Sequence, residues 1–135
     1  MSEDRNEQET AAKKSVFKKS QLQVLVADDE RSIREIMGMM LNQQGHHVKF
    51  AENGEKALHM VGSIDFDLII SDQNMPFLKG SELAEAIEPR GIPFILITGT
   101  EACVDEDCPG VSKVLSKPVS WECLEAAIGK VLKSA

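Results

Sequence analysis

Short apolar runs alternate along this chain with stretches whose apolar residues recur every three or four positions, from Leu22 onward. No other feature limits the possible folds so tightly. The run VLVA at 24–27 is continuous, as in a strand buried on both faces. Ile33, Ile36, Met37, Met40 and Leu41 follow at helical spacing, and Gly45 marks a stop. HVKFA at 47–51 reads as a second strand, punctuated by Asn53-Gly54, with a short helix around Ala57, Leu58 and Val61. DLII at 67–70, FILIT at 94–98 and a weaker VSKVL at 111–115 complete a set of five strands. A helix over 81–88 presents Leu83, Ala84 and Ile87 and is closed by Pro89 and Gly91. The last helix carries Trp121, Leu124, Ala127, Ile128, Val131 and Leu132 on one face, with Ser120 as its N-cap.

Strand–helix–strand alternation implies a parallel sheet with helices on both faces. Right-handed crossovers leave few topologies. The expected fold class is α/β: a flavodoxin-like, doubly wound, five-stranded parallel sheet in the order 2-1-3-4-5. GTEACVDEDCPG at 99–110 stands where the helix between the fourth and fifth strands belongs. It holds Pro109, Gly110 and few apolar anchors, so this fourth helix is expected to be short or absent.

The length of 135 residues suits one domain. Residues 1–20 are poor in apolar side chains, with five Lys/Arg against four acids, and read as a mobile tail. Residues 21–135 form the domain and carry ten Lys/Arg against eighteen acids. That balance repels phosphate backbones, so direct nucleic-acid binding is not expected. No apolar stretch is long enough to span a bilayer, and the N-terminus is too polar for a signal peptide. Cys103, Cys108 and Cys123 are odd in number and read as free thiols in a cytoplasmic, reducing compartment rather than as metal ligands.

Ligands of such sheets bind outside the carboxyl ends of the strands. There the sequence places Asp28-Asp29 after strand one, Ser71-Asp72 after strand three, Thr98-Gly99-Thr100 after strand four and Ser116-Lys117-Pro118 after strand five. A lone acid in such a place is usually a turn residue. Several gathered by the topology repel one another unless a cation joins them, and hard oxygen donors open to solvent suit Mg²⁺. A hydroxyl and an ammonium beside that metal suit a phosphoryl group, and a carboxylate can accept one as a nucleophile.

VLVADDERSIR, DLIISDQNMP, ILITGT and VLSKP together resemble the response-regulator receiver family of two-component signalling, over about Leu22 to Val131. The resemblance implies a phosphoacceptor at Asp72, charged by a histidine kinase or a phosphotransfer protein. It implies Mg²⁺ held by Asp28, Asp29, Asp72 and the backbone carbonyl of Asn74. Thr98 and Lys117 would contact the phosphoryl group, Gly99 is the usual small residue, and the bond to Pro118 would be cis. Thr100 and Val114 are modulating positions. The family usually has a ring where Val114 stands, so activation here is expected to work without an aromatic rotation, mainly through residues 99–110 and the face of strand five. The stretch between Thr98 and Lys117 is also shorter than usual, and the Pro-Phe-x-x-x-Thr-Gly run resembles stand-alone receivers with a reduced fourth helix. The implied activity is a signalling switch acting through protein contacts, with catalysis limited to its own phosphorylation and dephosphorylation; its downstream target is unspecified.

Two other readings fit less well. An aspartyl-phosphate hydrolase needs an acid two positions after the nucleophile, where Asn74 stands. A flavodoxin-type flavin carrier needs a phosphate loop after strand one, where DDERS places acids instead.

Overall fold

The computed structural model describes residues 21–99 and 108–134. The expectations for the tail at 1–20, for Thr100 and for most of the helix between the fourth and fifth strands lie outside those residues. Among the described residues there are five strands, β1 (Gln23–Ala27), β2 (His47–Ala51), β3 (Leu68–Asp72), β4 (Phe94–Thr98) and β5 (Lys113–Ser116). Four α-helices accompany them: α1 (Arg31–Gln43), α2 (Gly54–Ser63), α3 (Gly80–Ile87) and the C-terminal α4 (Trp121–Ser134). A 3₁₀ turn at Glu88–Arg90 ends α3.

The strands are all parallel and lie in the order β2-β1-β3-β4-β5. This is the expected flavodoxin-like arrangement. Alternate side chains of each strand enter two separate cores, as the two-residue period of a strand requires. Leu25, Ile69, Phe94 and Leu96 pack with Ala57, Val61, Leu83 and Ile87 of α2 and α3. Val24, Val26, Ile70 and Ile95 pack with Leu41 of α1 and Leu124, Ile128 and Val131 of α4. Each fully buried Leu, Ile or Val contributes about 1.5–3 kcal/mol relative to exposure. Two such layers suit the unbroken apolar runs of β1, β3 and β4.

Local chemistry sets the element ends. Asn53 Oδ1 accepts from Lys56 N at 2.7 Å, so Asn53 caps α2 as well as ending β2. Ser120 Oγ accepts from Cys123 N at 3.1 Å, the cap expected for α4. Two strands are shifted from their sequence-based bounds. Asp67 Oδ2 accepts from Gln23 N at 2.8 Å, and β3 runs on from Leu68 through Ser71 and Asp72. At β5, Val111 closes a turn onto Cys108 O while Ser112 Oγ accepts from Phe94 N, so the strand begins only at Lys113.

The cysteines differ from the three free thiols expected from the sequence. Cys108 is buried and disulfide-bonded, whereas Cys123 is free and exposed. Pairing depends on how closely two Cα atoms approach, which a count of cysteines does not reveal. The paired Cys108 does not support the reducing compartment expected from three free thiols. No described helix is long and apolar enough to cross a membrane.

Candidate functional site

The register of the sheet decides which residues meet. Ala27 pairs with Ser71, Asp72 with Ile97, and Thr98 with Ser116. The carboxyl ends of four strands therefore finish side by side. The residues that follow, Asp28, Gln73, Gly99 and Lys117, share one rim.

Three carboxylates gather on it. Asp28, Asp29 and Asp72 each offer an oxygen within 4.8 Å of the others. Asp28 and Asp72 are buried, and Asp29 is exposed. Burial pushes the Asp28 carboxyl up to about 6; the Glu30 N–H it accepts at 2.9 Å works against that, while Asp72 adds repulsion. Lys117 Nζ lies 2.9 Å from Asp72 Oδ1. This is an ion pair without good hydrogen-bond alignment, for Asp72 Oδ1 has no well-formed partner. The carboxylate holds the Lys117 ammonium above its usual range, with burial opposing. A buried carboxylate oxygen with only a misaligned partner, beside two further acids, is the donor set a small hard cation requires. The residues present therefore fit Mg²⁺.

The remaining expected residues take defined places. Thr98 is buried at the end of β4, and its carbonyl accepts from Lys117 N at 3.0 Å. A Cβ on Gly99 would sit an ordinary 3.8 Å from the Lys117 side chain, so the backbone passes Lys117 closely with room for a small residue. The Lys117–Pro118 bond is cis. Asn74 is exposed on the loop after β3. Val114 is half-buried in β5, pairs with Leu96 and packs against the α2/α3 core, away from the rim. A cleft of about 620 Å³ opens beside the acids, walled by Ile33, Met37, Ile97 and Val119 and ended by Asp28 and Lys117. A second cavity, about 560 Å³, lies at the opposite end of β4 and β5 and gathers no carboxylate cluster among the described residues.

Sequence reasoning missed Gln73 and Arg34. Gln73 is buried beside Asp72; its Oε1 accepts from Ser81 N at 2.7 Å and its Nε2 donates to Ser81 Oγ at 3.0 Å. It ties the end of β3 to the start of α3. Gly80 completes that junction, because a Cβ there would collide with the Asp72 carbonyl and with Leu96. Arg34 Nη1 donates to the Asp28 carbonyl at 2.8 Å and braces the loop after β1 from α1. A Gln–Ser spacing of eight and one helical Arg are too ordinary to stand out in a sequence.

Comparison with known proteins agrees with this geometry. The family model for the response regulator receiver domain matches residues 24–129. The response regulator receiver protein CpdR of Brucella abortus is 34% identical, over 83% of this chain and 98% of that protein. The probable transcriptional regulator ycf27 of Cyanidium caldarium is 36% identical over 85% of this chain, which spans only 48% of that relative. Among solved structures, chemotaxis regulator CheY4 of Vibrio cholerae is 31% identical with a TM-score of 0.74, covering 82% of this chain and 98% of its own. TrrA of Thermotoga maritima, solved in complex with Mg²⁺ and BeF, is 32% identical with the same TM-score and coverage. Receiver domains of this family are signalling domains phosphorylated on an aspartate, bind Mg²⁺ in an acidic pocket and interact with histidine kinases or phosphotransfer proteins. With a match over most of its length, a shared sheet order and a cluster of carboxylates at the strand ends, this chain belongs to the response regulator receiver domain family.

Proposed function

We propose that residues 21–135 form a receiver switched by phosphorylation of Asp72, with a phosphohistidine on a histidine kinase or phosphotransfer protein as donor. The observation that carries this reading is the buried Asp72 carboxylate, 2.9 Å from Lys117 and grouped with Asp28 and Asp29. Asp28, Asp29, Asp72 and the Asn74 carbonyl would hold Mg²⁺. When bound, the ion supplies positive charge against the phosphoryl oxygens.

The chain's own groups do the rest. An Asp72 oxygen attacks the donor's phosphorus; the P–N bond breaks and its electrons stay on the imidazole nitrogen. Lys117 neutralises charge on the transferred group, and the Thr98 hydroxyl donates to one of its oxygens. Gly99 leaves room for that oxygen beside Lys117. Water later attacks the same phosphorus, and the P–O bond to Asp72 breaks to return the carboxylate. Val114 points into the core and cannot report the event by a ring rotation, so Thr100 and the stretch at 99–110 are the proposed route outward. Output passes through protein contacts, with no direct binding of nucleic acid. The cytoplasm is the proposed site of this reaction.

Incubation with acetyl phosphate, with and without Mg²⁺, followed by mapping of the modified residue, tests this directly. The expected result is Mg²⁺-dependent label on Asp72 alone. Label on another carboxylate, or none at all, refutes the reading.

A further inference from the structure

Phe77 is at odds with its surroundings in two ways. Its φ is +74°, and among the described residues no other non-glycine side chain has a positive φ. It is also 79% exposed, although Met75 and Leu78 on either side of Pro76-Phe77 turn inward. Leu78 N donates to Pro76 O at 2.8 Å across Phe77, which makes a γ-turn of the positive-φ kind. That form is rare and strained, and a bulky side chain makes it worse. Glycine or asparagine would meet the backbone requirement more easily.

The turn does not relax because the loop is fixed on both sides. Gly80 N donates to Gln73 O at 3.0 Å, closing the loop back on the residue after Asp72. Gly54 at the start of α2 lies so close to the Leu78 carbonyl that any Cβ there would collide with it. Lys79 N donates to Glu82 Oε1 at 2.8 Å. The ring is thus held outward on the same rim as Asp72. The fold gains almost no burial from it and bears the backbone strain. Strain of this kind persists where a surface has a task.

We infer, on the reading of Asp72 as phosphoacceptor, that Phe77 is a recognition anchor which enters an apolar socket on the protein that delivers the phosphoryl group. A protein bringing a phosphohistidine to Asp72 has to cover this rim, whereas a small donor does not. A rigid aromatic held in its bound position loses little entropy on docking, and such side chains dominate interface energetics. Phe77 is therefore a specificity residue and takes no part in the chemistry.

The test compares two donors on wild type, Phe77→Gly, Phe77→Asn and Phe77→Trp. One donor is acetyl phosphate. The other is the autophosphorylated histidine kinase that labels wild type fastest in a panel of purified kinases. Gly and Asn variants should melt at or above the wild-type temperature and take label from acetyl phosphate at the wild-type rate. Transfer from the kinase should fall about tenfold or more, through a higher half-saturating concentration with little change in maximal rate. Phe77→Trp should recover most of it. Unchanged kinase transfer in the Gly and Asn variants overturns the inference. So does an equal loss with both donors, which marks a structural role, and so does a wild type that acetyl phosphate labels but no kinase does. Failure of acetyl phosphate to label wild-type Asp72 strikes instead at the phosphoacceptor reading itself.

Discussion

Lys117 Nζ and Asp72 Oδ1 form a 2.9 Å ion pair whose acidic end is buried and whose basic end is 41% open to solvent. The pair joins the end of β3 to the end of β5 across β4. Such half-open pairs are partly screened and contribute about 1 kcal/mol or less. Lys117→Met should therefore lower stability at pH 7 by about 1 kcal/mol in urea melts, and should slow labelling of Asp72 far more than that loss suggests. A variant labelled at the wild-type rate would remove Lys117 from the reaction.

Asp28 gives the metal-free fold a pH dependence. Its folded value of about 6 lies above the ordinary 3.8, so the folded state binds its proton more tightly than the unfolded chain does. The resulting stabilisation is fully present below pH 4 and is lost as pH rises through 6. Asp28→Asn should raise stability at pH 7 in EDTA by about 2 kcal/mol and change little at pH 4. Chemical denaturation at the two pH values checks this. The same variant should respond less to Mg²⁺.

His46 acts in the opposite direction. Its Nδ1 accepts from Leu22 N at 3.1 Å, and burial lowers its value below 6.5, with the neighbouring His47 adding to the effect. Protonation removes the acceptor. Its contribution, about 1 kcal/mol for one hydrogen bond, is present above pH 6.5 and is lost as pH falls below that. In an Asp28→Asn background, acidification from pH 8 to 5 should lower the melting temperature, and His46→Ala should flatten that slope. An unchanged slope would show that the bond does not matter.

Gln73→Ala deletes both links to Ser81 and leaves Ser81 N, in the first turn of α3, without its side-chain acceptor. The expected loss is about 1–2 kcal/mol, read in urea melts. Labelling of Asp72 should also slow, since the loop that carries Asn74 loses its clamp. A stability loss with normal labelling would confine Gln73 to helix capping.

The sheet order was legible because β1, β3 and β4 are unbroken apolar runs and the helices between them repeat every three or four residues. Asp28, Asp29, Asp72 and Lys117 were legible as a group for the same reason: each directly follows, or ends, a strand whose position the topology dictates. The residues that escaped act through side-chain hydrogen bonds that leave no periodic trace. Gln73 reaches Ser81 by folding back on a loop, and Asp67 joins the start of β3 to β1. The strain at Phe77 depends on one backbone angle, and the Cys108 disulfide on two Cα atoms coming close. Neither is encoded by residue type alone.

Among the described residues the sheet has two outer strands, β2 and β5, each with one edge free of strand pairing. Lys49 stands exposed in the middle of β2, and Lys113 opens β5, also exposed. Another strand laid against either edge would have to cover an ammonium group, a common defence against uncontrolled sheet growth. Crowded copies of this chain are thereby discouraged from joining edge to edge into fibrils, which leaves helix faces and loops as the surfaces for reversible association.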